Sequence, residues 1–374
     1  MFLSGDSTLG VRMPASDLTL TPGGIQTGAG RERLIGGSAH LDPGVGYNQE
    51  GGGTVFRRAA HLSGVEVHLP EGLKNQVTAA WGERGARWLE GLPELLEDCL
   101  ERWSLTLEAP LPELRYHYLA YVRTSGDRGA VLKLGVPDRE LVTEAGFLRA
   151  AEGEPLVKLL EADPERGALL LDRIRPGTPL SSWGDDQEAA RIGARLIKEV
   201  PLPEPAEGDF PSLSDWIRAF SRLRARFEGG AGPLPERVLA KAEGLFTELS
   251  APGSEPRLLH GDLHHDNILQ DQEGGWTVID PKGVIGDLAY EAARFQHNPI
   301  PAVLAWDRPV ETVRRRLRIL EEIVGCGRSR LLGWAYVDAV LSACWSLEEG
   351  TEGWNIMLAW VEVYERLLEG LPRI

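Results

Sequence analysis

His260-Gly261-Asp262-Leu263-His264-His265-Asp266-Asn267 is the stretch on which the reading of this chain turns, together with the apolar run Trp276-Thr277-Val278-Ile279 and the Asp280 that ends it. It sets Asp262 and Asn267 five residues apart and places Asp280 after a short strand pattern, ahead of the turn Pro281-Lys282-Gly283. One carboxylate so placed can take a proton from a hydroxyl. An amide oxygen and a second carboxylate can hold magnesium against the phosphates of a nucleotide. The set suits phosphoryl transfer. Asp262 is the candidate base, and Asn267 and Asp280 are the candidate metal ligands. Taken singly, each Asp also reads as an ordinary turn residue; the three together favour chemistry.

Working outward, the next informative residue is Lys133, in Ala130-Val131-Leu132-Lys133-Leu134. An ammonium among apolar strand residues is costly unless paired. Asp138 opens the helix that follows, and that helix offers Glu140 and Glu144 on one face. Either could hold Lys133 against phosphates, and Glu144, deeper beside the apolar stripe, is the preferred partner. The bland alternative is an edge-strand lysine facing solvent. His260, His264 and His265 could seat zinc only on a helix. Gly261 and its polar neighbours predict a loop instead, with His260 bracing it.

Periodicity divides the rest. Residues 1–64 are crowded with Gly, Ser, Thr and Pro, including Gly51-Gly52-Gly53, and read as a flexible leader. Helical patterns follow at Asn75–Trp88 and after Pro93. Strands are predicted at 105–107, 116–123, 130–134, 157–161 and 168–173, and Arg175-Pro176-Gly177 breaks the pattern. Beyond residue 180 the chain reads as mostly helical. One stripe runs through Leu213, Trp216, Phe220, Leu223 and Phe227, and further helices are predicted at 235–249, 310–324, 330–347 and 354–368. The expected organisation is a small sheet-containing lobe at 65–175 and a larger helical lobe at 176–374, an α+β fold.

Composition bounds the function classes. The chain has 374 residues, 42% hydrophobic and 26% charged, with a formal charge of −16. An acidic chain of this kind is not expected to bind nucleic acid, which needs a basic face. The excess charge serves solubility, or attracts a cationic acceptor through Asp185, Asp186, Glu348, Glu349 and Glu352. The three cysteines, Cys99, Cys326 and Cys344, form no metal or disulfide pattern. No apolar run approaches the length of a membrane span, and the expected location is the cytoplasm.

HGDLHHDN has the H-x-D-x-x-x-x-N form of a kinase catalytic loop, and Asp280 stands where a metal-binding Asp follows it. With AVLKLGVPDRE, LLEADPERGALLLDRI and IDPKGVIGDLAYE, the chain from about residue 65 onward resembles aminoglycoside phosphotransferase-type kinases, specifically the streptomycin 6-kinase and hydroxyurea phosphotransferase branch. The resemblance implies a protein-kinase-like bilobal fold and the use of ATP and Mg2+. It implies phosphorylation of a small hydroxylated molecule, with Asp262 as base, Asn267 and Asp280 as metal ligands and Lys133 as the nucleotide lysine. It also implies an interlobe hinge at Asp172-Arg173-Ile174, whose backbone would meet adenine. Two departures stand out. No GxGxxG precedes Lys133, the nearest loop, Glu108–Pro112, having no glycine, and Leu288 stands where the branch has proline. Alternatives on the same scaffold are a kinase of an amino alcohol or sugar, and a nucleotide-binding module without turnover.

Overall fold

The computed structural model describes residues 69–374, apart from 112–113, 152, 154, 201, 204–208, 252–254, 301, 370 and 372–374, and the backbone of residues 20–21 and 24–25. Residues 7–65 form a separate unit, in which β1 (Leu20–Thr21) pairs antiparallel with β2 (Gly24–Ile25). The leader expected at 1–64 otherwise lies outside the described residues.

The other unit's described residues open with α1 (Glu71–Arg102), which is broken at Gly82. Gly82 adopts φ 56°, a left-handed conformation that glycine enters without steric cost. The expected break before Pro93 does not occur. Pro93 lies inside the helix while Trp88, Leu92, Leu96 and Cys99 continue one buried stripe across it. Burial of that stripe outweighs the backbone hydrogen bond the proline forgoes.

A five-stranded antiparallel sheet follows: β3 (Leu105–Pro110), β4 (Tyr118–Thr124), β5 (Gly129–Leu134), β6 (Leu159–Asp163) and β7 (Ala168–Asp172), in the order β3-β4-β5-β7-β6. Side chains alternate between its faces. Ala120, Val122, Leu132, Leu134 and Leu170 point one way, into a core shared with the α1 stripe. Lys133 and Leu169, cross-strand partners, point the other way. There α2 (Arg139–Ala150) packs, with Leu141 and Ala145 against Leu169. Asp138 caps α2, its carboxylate accepting the Leu141 N–H at 3.2 Å. Strand β3 runs on to Pro110, so the β3–β4 connection is 111–117, not the 108–112 segment read from the sequence. The extension pairs Pro110 with Ala120 past a bulge.

The larger lobe is mainly helical, with short strands that frame the cleft. Strand β8 (Pro176–Pro179) leads to α3 (Asp186–Glu199) and β9 (Leu202–Pro203), then to α4 (Leu213–Arg226) and α5 (Glu236–Leu249). Ser212 and Asp215 form a reciprocal cap on α4. Phe227 falls at the end of that helix and is exposed, so it leaves the predicted stripe. Strand β10 (Arg257–Leu259) feeds the 260–267 loop. Strands β11 (Ile268–Asp271) and β12 (Trp276–Val278) form a hairpin, and β13 (Val284–Gly286) returns beside β10. Helix α6 (Leu288–Gln296) precedes α7 (Pro309–Val324), α8 (Arg328–Glu348) and α9 (Gly353–Leu368). Helix α8 is buried on all sides from Leu331 to Ser346, as expected of a helix at the centre of a lobe. Among the described residues no helix is long and apolar enough to cross a membrane.

Replacing Asp138 by Ala removes the α2 cap and is expected to lower stability by about 1 kcal/mol. Urea unfolding of the two proteins measures this, and an unchanged midpoint would rule out a stabilising cap.

Candidate active site

The cleft-facing charges are held by a relay of ion pairs. Lys133 Nζ lies 2.7 Å from Glu144 and 2.5 Å from Asp280. Lys282 Nζ lies 2.7 Å from the other oxygen of Asp280 and 2.6 Å from Glu140. The two glutamates share one face of α2 a turn apart, so the relay starts and ends on that helix. Thr143, between them, donates to the Lys282 carbonyl at 2.7 Å.

Burial opposes the Lys133 charge, yet Asp280 and Glu144 hold its pKa above the usual lysine value. Burial also works against the Asp280 carboxylate, but Lys133 and Lys282 outweigh it and keep the group well below the aspartate range. Glu144 is pushed up to about 7 by burial, against the pull of Lys133. Asp280 adopts φ 61°, a region non-glycine residues seldom occupy. That turn sets its carboxylate between the two ammoniums.

The 260–267 loop is built around neutral His260. Its Nδ1 accepts the Asp262 N–H at 3.1 Å and its Nε2–H donates to the Ile279 carbonyl at 2.9 Å. Burial lowers its pKa to about 4, consistent with that tautomer. Gly261, at φ 81°, leaves no room for a side chain, since a Cβ would meet Trp216 at 2.8 Å. The Asn267 amide NH2 donates to the Asp262 carbonyl at 2.9 Å, and the Asn267 carbonyl accepts the Ile279 N–H at 2.9 Å. Asn267 therefore sits beside the strand that delivers Asp280.

Two residues of α6 grip this loop from below, and the sequence reading missed both. Arg294 Nε and Nη2 lie 2.9 and 2.8 Å from the same oxygen, Oδ1, of Asp262. Burial works against the Asp262 carboxylate, but Arg294 holds its pKa below the usual range. Arg294 Nη1 bonds Asp338 of α8 at 3.0 Å, and Asp338 also accepts from Tyr290 at 2.7 Å. Glu291 accepts the N–H groups of Gly261 at 3.0 Å and Leu263 at 3.3 Å. The available signal was spacing: Glu291 and Arg294 are three apart on a helix in which every residue from Ala289 to Gln296 is buried, and buried charges need partners. Lys282 was equally visible as one of six lysines, but its partner on α2 was not.

The residues expected to form the hinge lie apart from this cluster. The Asp172 carboxylate forms a two-point pair with Arg128, at 2.9 and 2.5 Å. The Asp172 N–H donates to Lys158 and the Arg173 N–H to the Asp172 carboxylate. The Arg173 guanidinium stacks 3.5 Å over Tyr121, on the Lys133 face of the sheet.

The donor set fits magnesium better than a metal held by protein alone. Asn267 and Asp280 offer hard oxygens on neighbouring strand ends, and Mg2+ commonly takes one or two carboxylates with water and phosphate completing its shell. Three carboxylates face two ammoniums in the relay. Among the described residues no group of three or more His, Cys, Asp or Glu side chains could hold a metal ion. His265 stacks on Phe295 at 4.1 Å, and the Nδ1 atoms of His260 and His264 are taken by backbone N–H groups. The acidic residues singled out for an acceptor are partly engaged within the chain: Asp186 pairs with Arg316, Glu348 with Arg222, and Asp185 caps α3.

A sheet lobe joined to a helical lobe, with a paired lysine held against an Asp–Asn–Asp cluster, is the architecture of a protein-kinase-like small-molecule phosphotransferase. The chain belongs to the aminoglycoside/hydroxyurea antibiotic resistance kinase family, whose sequence profile matches residues 102–350. It is 33% identical to the streptomycin 6-kinase of Streptomyces glaucescens over 291 residues, covering 76% of this chain and 92% of that one. It is also 33% identical to the hydroxyurea phosphotransferase of Kitasatospora aureofaciens over 295 residues, covering 77% and 82%. A choline kinase from Streptococcus pneumoniae shares the fold, with a TM-score of 0.55 at 13% identity over 75% of this chain and 99% of that one.

Burial pushes Glu291 up to about 7 against the pull of its two backbone donors. Between about 4.5 and 7 the folded state thus holds a proton the unfolded state has released, so this group's contribution to stability falls as pH rises through that window. Relative to Glu291→Gln, the wild type should lose roughly 2 kcal/mol between pH 5 and pH 7. Urea unfolding of both proteins at the two pH values tests this, and parallel stabilities would overturn it.

Proposed function

We propose that this enzyme transfers the γ-phosphate of ATP to a hydroxyl of a small polar molecule, with streptomycin the first candidate acceptor and hydroxyurea the second. The observation that carries the reading is the set of contacts Glu144–Lys133–Asp280, then Ile279–Asn267–Asp262, which gathers an ammonium, three carboxylates and an amide in one cluster. The names and 33% identity of the two relatives support the choice of acceptors. The division into a nucleotide-binding lobe at 65–175 and a catalytic lobe at 176–374 is part of the same reading, as is a cytoplasmic location, where ATP is available.

In this mechanism the acceptor hydroxyl approaches Asp262. Arg294 steadies Oδ1, and the Asp262 carboxylate receives the proton. A lowered pKa suits the role, because the transition state of phosphoryl transfer is loose and positioning matters more than basicity. Lys133, steadied by Glu144, donates to the α- and β-phosphates, and Lys282 supplies a second ammonium from the Asp280 turn. Asn267 and Asp280 would hold Mg2+, which would supply positive charge to offset that developing on the transferring phosphate. The Asp172–Ile174 backbone would receive the adenine.

Transfer of labelled phosphate from ATP to streptomycin and to hydroxyurea tests the proposal directly. Incorporation into neither, in protein shown to bind ATP, would overturn the choice of acceptors. Asp262→Ala should retain nucleotide binding and lose turnover by well over tenfold, whereas near-normal turnover would remove Asp262 from the role of base. Asp280→Ala is expected to abolish magnesium-dependent transfer, measured by titrating Mg2+ in the same assay.

A further inference from the structure

The connection between β3 and β4 carries no glycine run, so its backbone is not the obvious source of donors to phosphate. It does carry His117. Tyr118 pairs with Leu134 and Leu119 with Lys133, so the next pair outward sets His117 opposite Gly135. Side chains two apart on a strand share a face, which puts His117 on the same face as Leu119 and Lys133. The ring lies against the Gly135 backbone: a Cβ there would come within 2.4 Å of His117 Cδ2 and 3.0 Å of Nε2. A glycine at 135 thus keeps a slot for the imidazole at the end of the sheet beside Lys133. The charged groups acting on the ring are Lys133, Asp280 and Lys282, three members of the relay. Burial and the two lysines keep it neutral, with one ring N–H to donate, and the ring makes no hydrogen bond among the described residues.

We infer that His117 is a phosphate-contacting residue of the nucleotide site, donating its ring N–H to a phosphate beyond the α position and replacing the backbone grip that a glycine-rich loop would supply. This rests on the nucleotide-binding reading above. It explains how a loop of bulky residues can cover phosphates: the contact comes from a side chain seated in the Gly135 slot.

The test compares binding of ATP and AMP to the full chain, wild type, His117→Ala and His117→Gln, by isothermal titration calorimetry with Mg2+ present. A hydrogen bond to a charged acceptor is worth enough that His117→Ala should weaken ATP about tenfold, with AMP affinity held within about twofold. His117→Gln, which keeps a donor, should recover part of the loss. Unchanged ATP affinity in His117→Ala would overturn the inference. An equal loss for ATP and AMP would do so as well, because it marks a packing role. Wild type that binds neither nucleotide would instead overturn the parent reading, and this inference with it.

Discussion

The cleft depends on one arrangement of charge, Glu144–Lys133–Asp280–Lys282–Glu140, which runs from α2 across to the 280–282 turn and back. Each member is mostly hidden from water, and an ion left alone in such a place costs several kcal/mol. Alternating signs remove that penalty only while both lobes hold their positions. The relay therefore couples the sheet lobe to the 280–282 turn: α2 cannot move away without taking one of its two carboxylate partners from each lysine. It also sets two ammoniums close together, already desolvated and sharing Asp280.

A second constraint comes from below. Helix α6 is capped by Asp287, whose carboxylate is bound by Arg330 and Trp334 of α8. A helical repeat of about 3.6 residues per turn then brings Glu291 and Arg294 to the loop side. Glu291 takes the backbone on both sides of Asp262 and Arg294 takes its side chain, while Asp338 of α8 balances Arg294. The orientation of Asp262 is set by two helices behind it, and the rigidity of the site derives from the most buried helix of the large lobe. Removing either partner of such a pair strands the other, so these positions tolerate little change even though none lies at the cleft surface.

Much of this was legible in the chain itself. The Asp262–Asn267–Asp280 spacing, the Asp138 cap, the strands at 105, 118, 129 and 168 and the helices after residue 309 all leave local signals: turn residues, a change of period from 3.6 to 2, capping side chains. The misreadings share a cause. Pro93 is a strong local breaker, but the stripe Trp88–Leu92–Leu96–Cys99 buries enough surface to override it. Strand β3 continues to Pro110 because β4 offers it a partner, which no local pattern reveals. Strands β8, β10 and β13 are three or four residues long, too short for periodicity to show.

The sequence by itself determined which groups could do chemistry, because residue type and spacing along a loop are local properties. It also determined that the chain would form a sheet lobe followed by a helical one. Only the tertiary structure decided the partners. Glu144 meets Lys133 while Glu140 meets Lys282, Arg294 reaches Asp262 from 32 residues away, and His117 lies across Gly135. These pairings join segments that the chain brings together only through sheet register and helix packing, and a charge's partner is fixed by distance in space rather than by distance in sequence.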